Sequence, residues 1–336
     1  VVILFSLLLF SNLSLASEVD PHGSGDFTSI QAAIDAASPG DVITINAGIY
    51  DETLIIDKPL TLMGAGMGAT VIDRSGTGHI VTVTSDNVTL SNLSITGSGS
   101  SLAALYMNGV RDVIISQVEI FGSQGNGSAV LNSNNISILG CDLHNNSYSG
   151  LILDSCQYVS LQDSALQNNY NGMLSAYCSN LSIIGNSADL NENYGLFFNH
   201  HYDCSIRDNL LSHNGNKGMQ LSNSQRNNVS GNDGVGNSHS SIYLRLSDNN
   251  YLHNNTASGG QHGFALELSS NNTIVDNEAF GNDKGLYVRS SSQHNLFQGN
   301  HIHDNVNWSV MISSADNNTF LDSYLVDNRV GVFSYG

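Results

Sequence analysis

Residues 263–282 read GFALELSSNNTIVDNEAFGN, and residues 285–300 read GLYVRSSSQHNLFQGN. Each begins with Gly and a short alternating strand, passes a polar corner, continues in a second short strand and closes on Asn. The pattern extends in both directions. Segments beginning at Gly127, Gly150, Gly172, Gly195, Gly218, Ser241, Gly263, Gly285, Trp308 and Gly331 stack at spacings of 22 or 23 residues. Such a period marks a solenoid, whose units bury their apolar faces only against their neighbours. The second strand recurs as Ile136/Ile138, Val159/Leu161, Leu181/Ile183, Cys204/Ile206, Asn227/Val229, Asn250/Leu252, Asn272/Ile274, His294/Leu296 and Asn318/Phe320. Residues two apart on a strand share a face, so these pairs are expected to point inward.

Two Asn columns follow, five residues apart. One holds Asn186, Asn209, Asn232, Asn255, Asn277 and Asn300. The other holds Asn146, Asn169, Asn191, Asn214, Asn237, Asn282, Asn305 and Asn328, with Gly260 in one gap. Asn tolerates the left-handed backbone of a tight corner, and amides stacked about 4.8 Å apart hydrogen-bond along the stack. The columns therefore read as corner residues in ladders. A unit of about 22 residues with no helix-length segment fits an all-β, single-stranded parallel β-helix over 42–336. A leucine-rich repeat would need an LxxLxL signature, which is absent. About 12 coils at ~4.8 Å give a rod about 55–60 Å long.

Composition narrows the partners. The 336 residues hold 33 Gly and three Pro, and only 12% are charged, with 10 Lys+Arg against 29 Asp+Glu for a net charge of −19. No basic run offers a phosphate-binding surface, which argues against nucleic acid. Residues 1–16, VVILFSLLLFSNLSLA, read as a secretory signal, too short to span a bilayer and ending in a small-x-small pattern, so the mature chain is expected to be exported with no transmembrane span. The chain starts without Met and stops within a repeat, so it reads as a fragment. Residues 17–41 are expected to cap the coil stack. Within DFTSIQAAIDAASPGD (26–41), apolar Ile30, Ala33, Ile34 and Ala37 have helical spacing, Thr28 and Ser29 are available N-caps, and Pro39 and Gly40 stop the helix.

The opening GSGDFTSIQAAIDAASPGDVITINAGIYDETLIIDKPLTLMGAGMGATVID resembles the entry of pectin-lyase-like right-handed β-helices and is similar to the start of pectin methylesterases. The repeats from Gly127 onward resemble those of NosD-type periplasmic copper-binding proteins and of carbohydrate-binding and sugar-hydrolase β-helix domains. The resemblance implies a right-handed solenoid, often one acting on polysaccharide. It transfers no catalytic residue. The DFIFG-like segment of a pectin methylesterase is missing, since Asp26 and Phe27 continue as Thr; so are the NTD, paired-Asp and RIK set of polygalacturonases and the RxPxxR motif of pectate lyases.

Candidate sites come from the columns. With residues +1 and +3 after the repeat Gly pointing in, +2 and +4 point out. The +4 column places Arg245, Glu267 and Arg289 on consecutive rungs, and the +2 column flanks them with Tyr243 and Tyr287. Tyrosines stack on sugar rings and arginines hold carboxylates, so Tyr243, Arg245, Tyr287 and Arg289 form a candidate polysaccharide-binding face and Glu267 a candidate catalytic acid or base. The plain alternative is an alternating salt ladder. No second carboxylate stands near Glu267 in these columns, which disfavours hydrolysis and leaves lyase or epimerase chemistry. Glu278, His301 and His303 form a candidate three-ligand metal corner for copper or zinc, with scattered surface histidines in polar corners as the plain alternative, while Ca²⁺ would bridge an acidic chain to an acidic polymer. Cys156 and Cys178 are 22 residues apart in equivalent positions, leaving open a disulfide or a stack of thiols. The sequence thus points to an exported or cell-surface β-helix protein that binds, and in one version modifies, a polysaccharide. A non-catalytic adhesive rod and a NosD-like copper accessory protein are its rivals.

Overall fold

The computed structural model describes residues 16–74, 76, 78–100 and 102–336. They form a right-handed parallel β-solenoid of about 14 turns, rather than the 12 expected. The extra turns come from the N-terminal third, where Ala16–Val19 pairs with Val42–Ile45 and that strand with Thr61–Gly64. This stretch lacks the repeat glycines and Asn columns, so it escaped the count. The expected leader lies outside the described residues except for Ala16, the first residue of that strand.

A thirteen-stranded sheet, the first face, runs from Leu54–Ile56 to Val330–Tyr335. The other two faces are joined at the corners where the long strands Thr89–Thr96 and Arg111–Phe121 bend and pair with partners on both. At about 4.8 Å per rung the rod is about 60–65 Å long. Its interior is a stack of aliphatic columns, for example Ile136, Val159, Leu181 and Cys204 beside Ile138, Leu161, Ile183 and Ile206, all buried. The helix spans Ile30–Ala36, is capped by the Ser29 hydroxyl accepting from Ala32 N–H, and buries Ile30, Ala33 and Ile34. The Glu52 carboxylate accepts from Ile30 N–H and Gln31 N–H at 2.9 and 3.0 Å, tying the helix to the coil.

Register corrects three expectations. Lys284 pairs with Trp308, so the counterpart of Gly285 is Ser309, not Trp308. Asn295 and Phe297 face inward instead of His294 and Leu296, because the SSSQH corner carries one more residue and places both Ser290 and Ser291 in left-handed conformation. The ladder Asn residues are not the left-handed ones either. Positive φ falls on the residue before each, such as Asp208 before Asn209 or Asn254 before Asn255. The ladder Asn is a hydrogen-bonding post: Asn209 N–H and Nδ2 both donate to Asn232 Oδ1, at 3.1 and 2.8 Å, and Nδ2 also reaches Ile183 O at 3.0 Å. A third ladder, Asn227, Asn250, Asn272, Asn295 and Asn318, repeats this pattern. The Asn columns expected to align do so. The four cysteines are buried free thiols, and Cys156 N–H donates to Cys178 Sγ at 3.2 Å.

Candidate functional site

The outer surface of the first face carries the predicted residues. Arg245, Glu267 and Arg289 are direct partners on successive rungs, and Ala265 separates Tyr243 from Tyr287. Their charges alternate along the column as a salt ladder would, and the one ion pair that the three form among the described residues joins Arg289 to Glu267. Arg289 Nη2 donates to Glu267 Oε2 at 2.6 Å, and the Tyr243 hydroxyl donates to the same oxygen. Arg245 is exposed, and its guanidinium makes no hydrogen bond or ion pair among the described residues. Burial would raise the Glu267 carboxyl, but the bonds from Tyr243 and Arg289 and the two arginine charges outweigh it and hold the group below the usual range. Glu267 is therefore an ionised, doubly held acceptor at neutral pH. Burial pushes the Tyr243 phenol up.

A further column joins these. Tyr194 pairs with Lys217, Lys217 with Ser240, Ser240 with His262, His262 with Lys284 and Lys284 with Trp308. Each stands one residue before a repeat Gly or its substitute. Counting alternation backward through the glycine assigns this column to the interior. Instead Gly218 and Met219 both face in, since a Cβ on Gly218 would lie 2.8 Å from the ladder amide of Asn237. The kink returns Lys217 to the outside. The letters K-G at 217–218 and again at 284–285 were the visible signal.

This column makes the site unusual. Lys217 Nζ sits 5.2 Å from the Tyr194 ring centre and 4.9 Å from that of Tyr243, and burial lowers its ammonium to about 8. Lys284 pairs with Asp283 and lies 5.1 Å from the Trp308 ring. His239 and His262 pack edge to face at 4.9 Å, and both approach the Ser240 hydroxyl. Burial, aided by His239, Lys284 and Arg289, brings His262 down to about 3, and burial with the three nearby cations lowers His239. Both imidazoles are thus neutral near pH 7. Toward the N-terminal end the same face carries a shallow groove between the half-exposed rings of Tyr148 and Tyr170, floored by Ile152 and Leu174.

The expected metal corner lies on the third face, the row of short strands that includes Asp142–His144, Asp233–Val235, Thr256–Ser258, Glu278–Phe280 and His301–His303. Donor atoms of Glu278, His301 and His303 are all within 4.8 Å of one another. His303 Nε2 is 3.1 Å and His301 Nδ1 3.7 Å from Glu278 Oε1. Sequence reasoning did not single out a second cluster of this kind, Glu119, Asp142 and His144.

Comparison with known proteins agrees with this architecture. Residues 78–234 match a family model described as right handed beta helix region, and residues 234–336 one described as periplasmic copper-binding protein (NosD). The A-module of mannuronan C-5 epimerase AlgE4 from Azotobacter vinelandii is similar in structure, with a TM-score of 0.68, 18% identity and coverage of 91% of this chain and 93% of that one. The Dettilon tailspike protein gives 0.69 at 16% identity over 83% of this chain and 62% of its own, and PfbA, a surface adhesin of Streptococcus pneumoniae, 0.55 at 10% over 88% and 87%. At such identities the likeness concerns the fold. A probable pectinesterase from Arabidopsis thaliana is 44% identical over 64 residues, a match spanning 19% of that protein. No helix among the described residues is long and apolar enough to cross a membrane. The chain has the right-handed parallel β-helix fold, and each of the two family models matches less than half of it.

Proposed function

We propose that this right-handed parallel β-helix protein is exported and binds an acidic polysaccharide along its first face. The observation that carries the reading is electrostatic. Lys217, Arg245, Lys284 and Arg289 are four of only ten Lys and Arg in a chain of net charge −19, and all four fall within four successive rungs of one surface. A cationic island on an acidic rod attracts a polyanion to one place and repels it elsewhere. Arg245, whose guanidinium makes no hydrogen bond or ion pair among the described residues, is the group that takes a carboxylate. Tyr148, Tyr170 and Tyr194 extend the surface along the rod, so that seven rungs, about 29 Å, present aromatic and then cationic groups to an extended polymer.

The same patch supports chemistry of the lyase or epimerase type. Pairing of a uronate carboxylate with Arg245 makes the hydrogen on the adjoining ring carbon more acidic. Neutral His239 takes that proton. In elimination the electron pair forms the ring double bond while the bond to the neighbouring glycosidic oxygen breaks, and that oxygen receives a proton from the Lys217 ammonium; in epimerisation the Lys217 ammonium instead delivers its proton to the opposite face of the same carbon, and the glycosidic bond stays intact.

Affinity electrophoresis in gels containing polygalacturonate, alginate or hyaluronan tests the binding. The chain is expected to be retarded by at least one of these and not by neutral dextran, and Arg245→Ala is expected to abolish retardation while leaving the urea midpoint within about 0.5 kcal/mol of the parent. Absence of retardation in every acidic gel, or full retardation of Arg245→Ala, contradicts the reading. Loss of an unsaturated or inverted product in His239→Ala, with binding retained, separates the chemistry from the binding.

A further inference from the structure

On the third face two distant corners share one construction. In the first, Glu119 and Phe121 stand beside Asp142 and His144 on the next rung; in the second, Glu278 and Phe280 stand beside His301 and His303. The two are separated by seven rungs of continuous pairing. In both, the second histidine stacks on the preceding phenylalanine, with ring centres 5.5 and 5.3 Å apart, and its Nε2 points at the glutamate, 3.3 Å away for His144 and 3.1 Å for His303.

They differ at two positions, and the differences bear on a ligand. His301 replaces Asp142, giving the second corner two imidazoles and a carboxylate. Asp304 replaces Asn145 beside the histidine. The His303 Nδ1–H donates to Asp304 Oδ2 at 2.7 Å, whereas His144 Nδ1 faces the Asn145 amide at 2.8 Å and accepts from it. An aspartate on Nδ1 fixes the tautomer whose Nε2 carries a lone pair, and it raises the basicity of that nitrogen. An amide donor on Nδ1 places the proton on Nε2, where it blocks a cation. Nε2 and Glu278 Oε1 are only 3.1 Å apart, so a metal ion taking the Nε2 lone pair is within reach of the carboxylate as well.

We propose that Glu278, His301 and His303, with Asp304 behind His303, bind one borderline divalent cation, Cu²⁺ in preference to Zn²⁺, and that the Glu119 corner is the same scaffold without the two residues that make it metal-competent. Two imidazoles with one carboxylate suit these ions, and at such donors copper exceeds zinc in affinity. The residues present therefore fit the ion named by the family description of this region. Glu278, His301 and Asp304 are at the surface, so the ion has access without rearrangement of the coil.

Calorimetric titration of the tag-free full chain with CuCl₂ and with ZnCl₂, together with the electron paramagnetic resonance spectrum of the copper form, tests this. One tight Cu²⁺ per chain is expected, with coupling to two nitrogens. The pair His301→Ala and His303→Ala is expected to remove the tight site, and Asp304→Asn to weaken it by about 10-fold or more. Combining Asp142→His with Asn145→Asp rebuilds the first corner and is expected to raise the stoichiometry to two. All these positions are on the outer surface, and circular dichroism confirms folding of each variant. Tight copper retained after loss of both histidines, no tight copper in the parent chain, or an unchanged stoichiometry in a folded Asp142→His/Asn145→Asp chain overturns the proposal.

Discussion

His201 shows what one buried ring does to the pH response of the coil. The residue before it, His200, takes a left-handed backbone and turns the corner, so that His201 enters the core against the edge of Phe198. Burial lowers its imidazole from 6.5 to about 4. Between those values the unfolded chain holds a proton that the folded chain does not. Stability contributed by the neutral ring is therefore complete above about pH 6.5 and falls as the pH drops toward 4. The whole shift corresponds to about 3 kcal/mol, of which roughly 2 kcal/mol is lost by pH 5. Urea midpoints at pH 7 and pH 5 are expected to lie closer together in His201→Leu than in the parent chain; an equal separation contradicts this account. At this scale the sequence was legible wherever strict alternation holds, which is why Arg245, Glu267 and Arg289 fall on one line as read. It was not legible where the chain kinks. Lys217, His262 and Lys284 lie on the outer side of the coil only because each precedes a glycine pressed against a ladder amide.

The ladders are the elements that fix this register. Each buried Asn satisfies the backbone N–H of the Asn stacked on the rung before it and a carbonyl about three residues upstream on that same rung, so the amide replaces the hydrogen bonds that a β-turn leaves open. Asn232→Ala removes the acceptor of Asn209 N–H and Nδ2, both buried, and the donor to Ile206 O. The expected loss is about 3 kcal/mol or more, since buried polar groups are left without partners. Gly260 shows that the backbone tolerates a gap, its own N–H still donating to Asn282 Oδ1 at 3.0 Å, so Asn232→Ala is expected to fold with a lowered midpoint. A midpoint equal to that of the parent chain contradicts the role given to the amide. Two ladders were visible in the sequence as repeated letters. The third was read only as inward positions, which Asn227, Asn250 and Asn272 are, since they continue the buried column of Ile136, Val159, Leu181 and Cys204; letters alone do not show that these amides also bond along the stack.

Over the whole molecule, each turn touches mainly the turns before and after it, and side chains in successive turns form continuous rows. Function on such a rod is a matter of which rows carry chemistry. One row group gathers four cations, two neutral imidazoles and a held carboxylate on the first face; another, on the third face, holds the Glu278 corner. The repeat period was sufficient to find the rod and its parallel stacking, while the N-terminal turns, built without the repeat glycines or Asn posts, were assigned to the rod but their number became visible only in three dimensions. Hydrogen–deuterium exchange with and without a saturating acidic polysaccharide tests the central claim most directly. Slowed exchange is expected in 217–222, 240–245, 262–267 and 284–289, with the third-face strands 278–280 and 301–303 unchanged. Protection confined to the third face, or none on the first, would contradict the account.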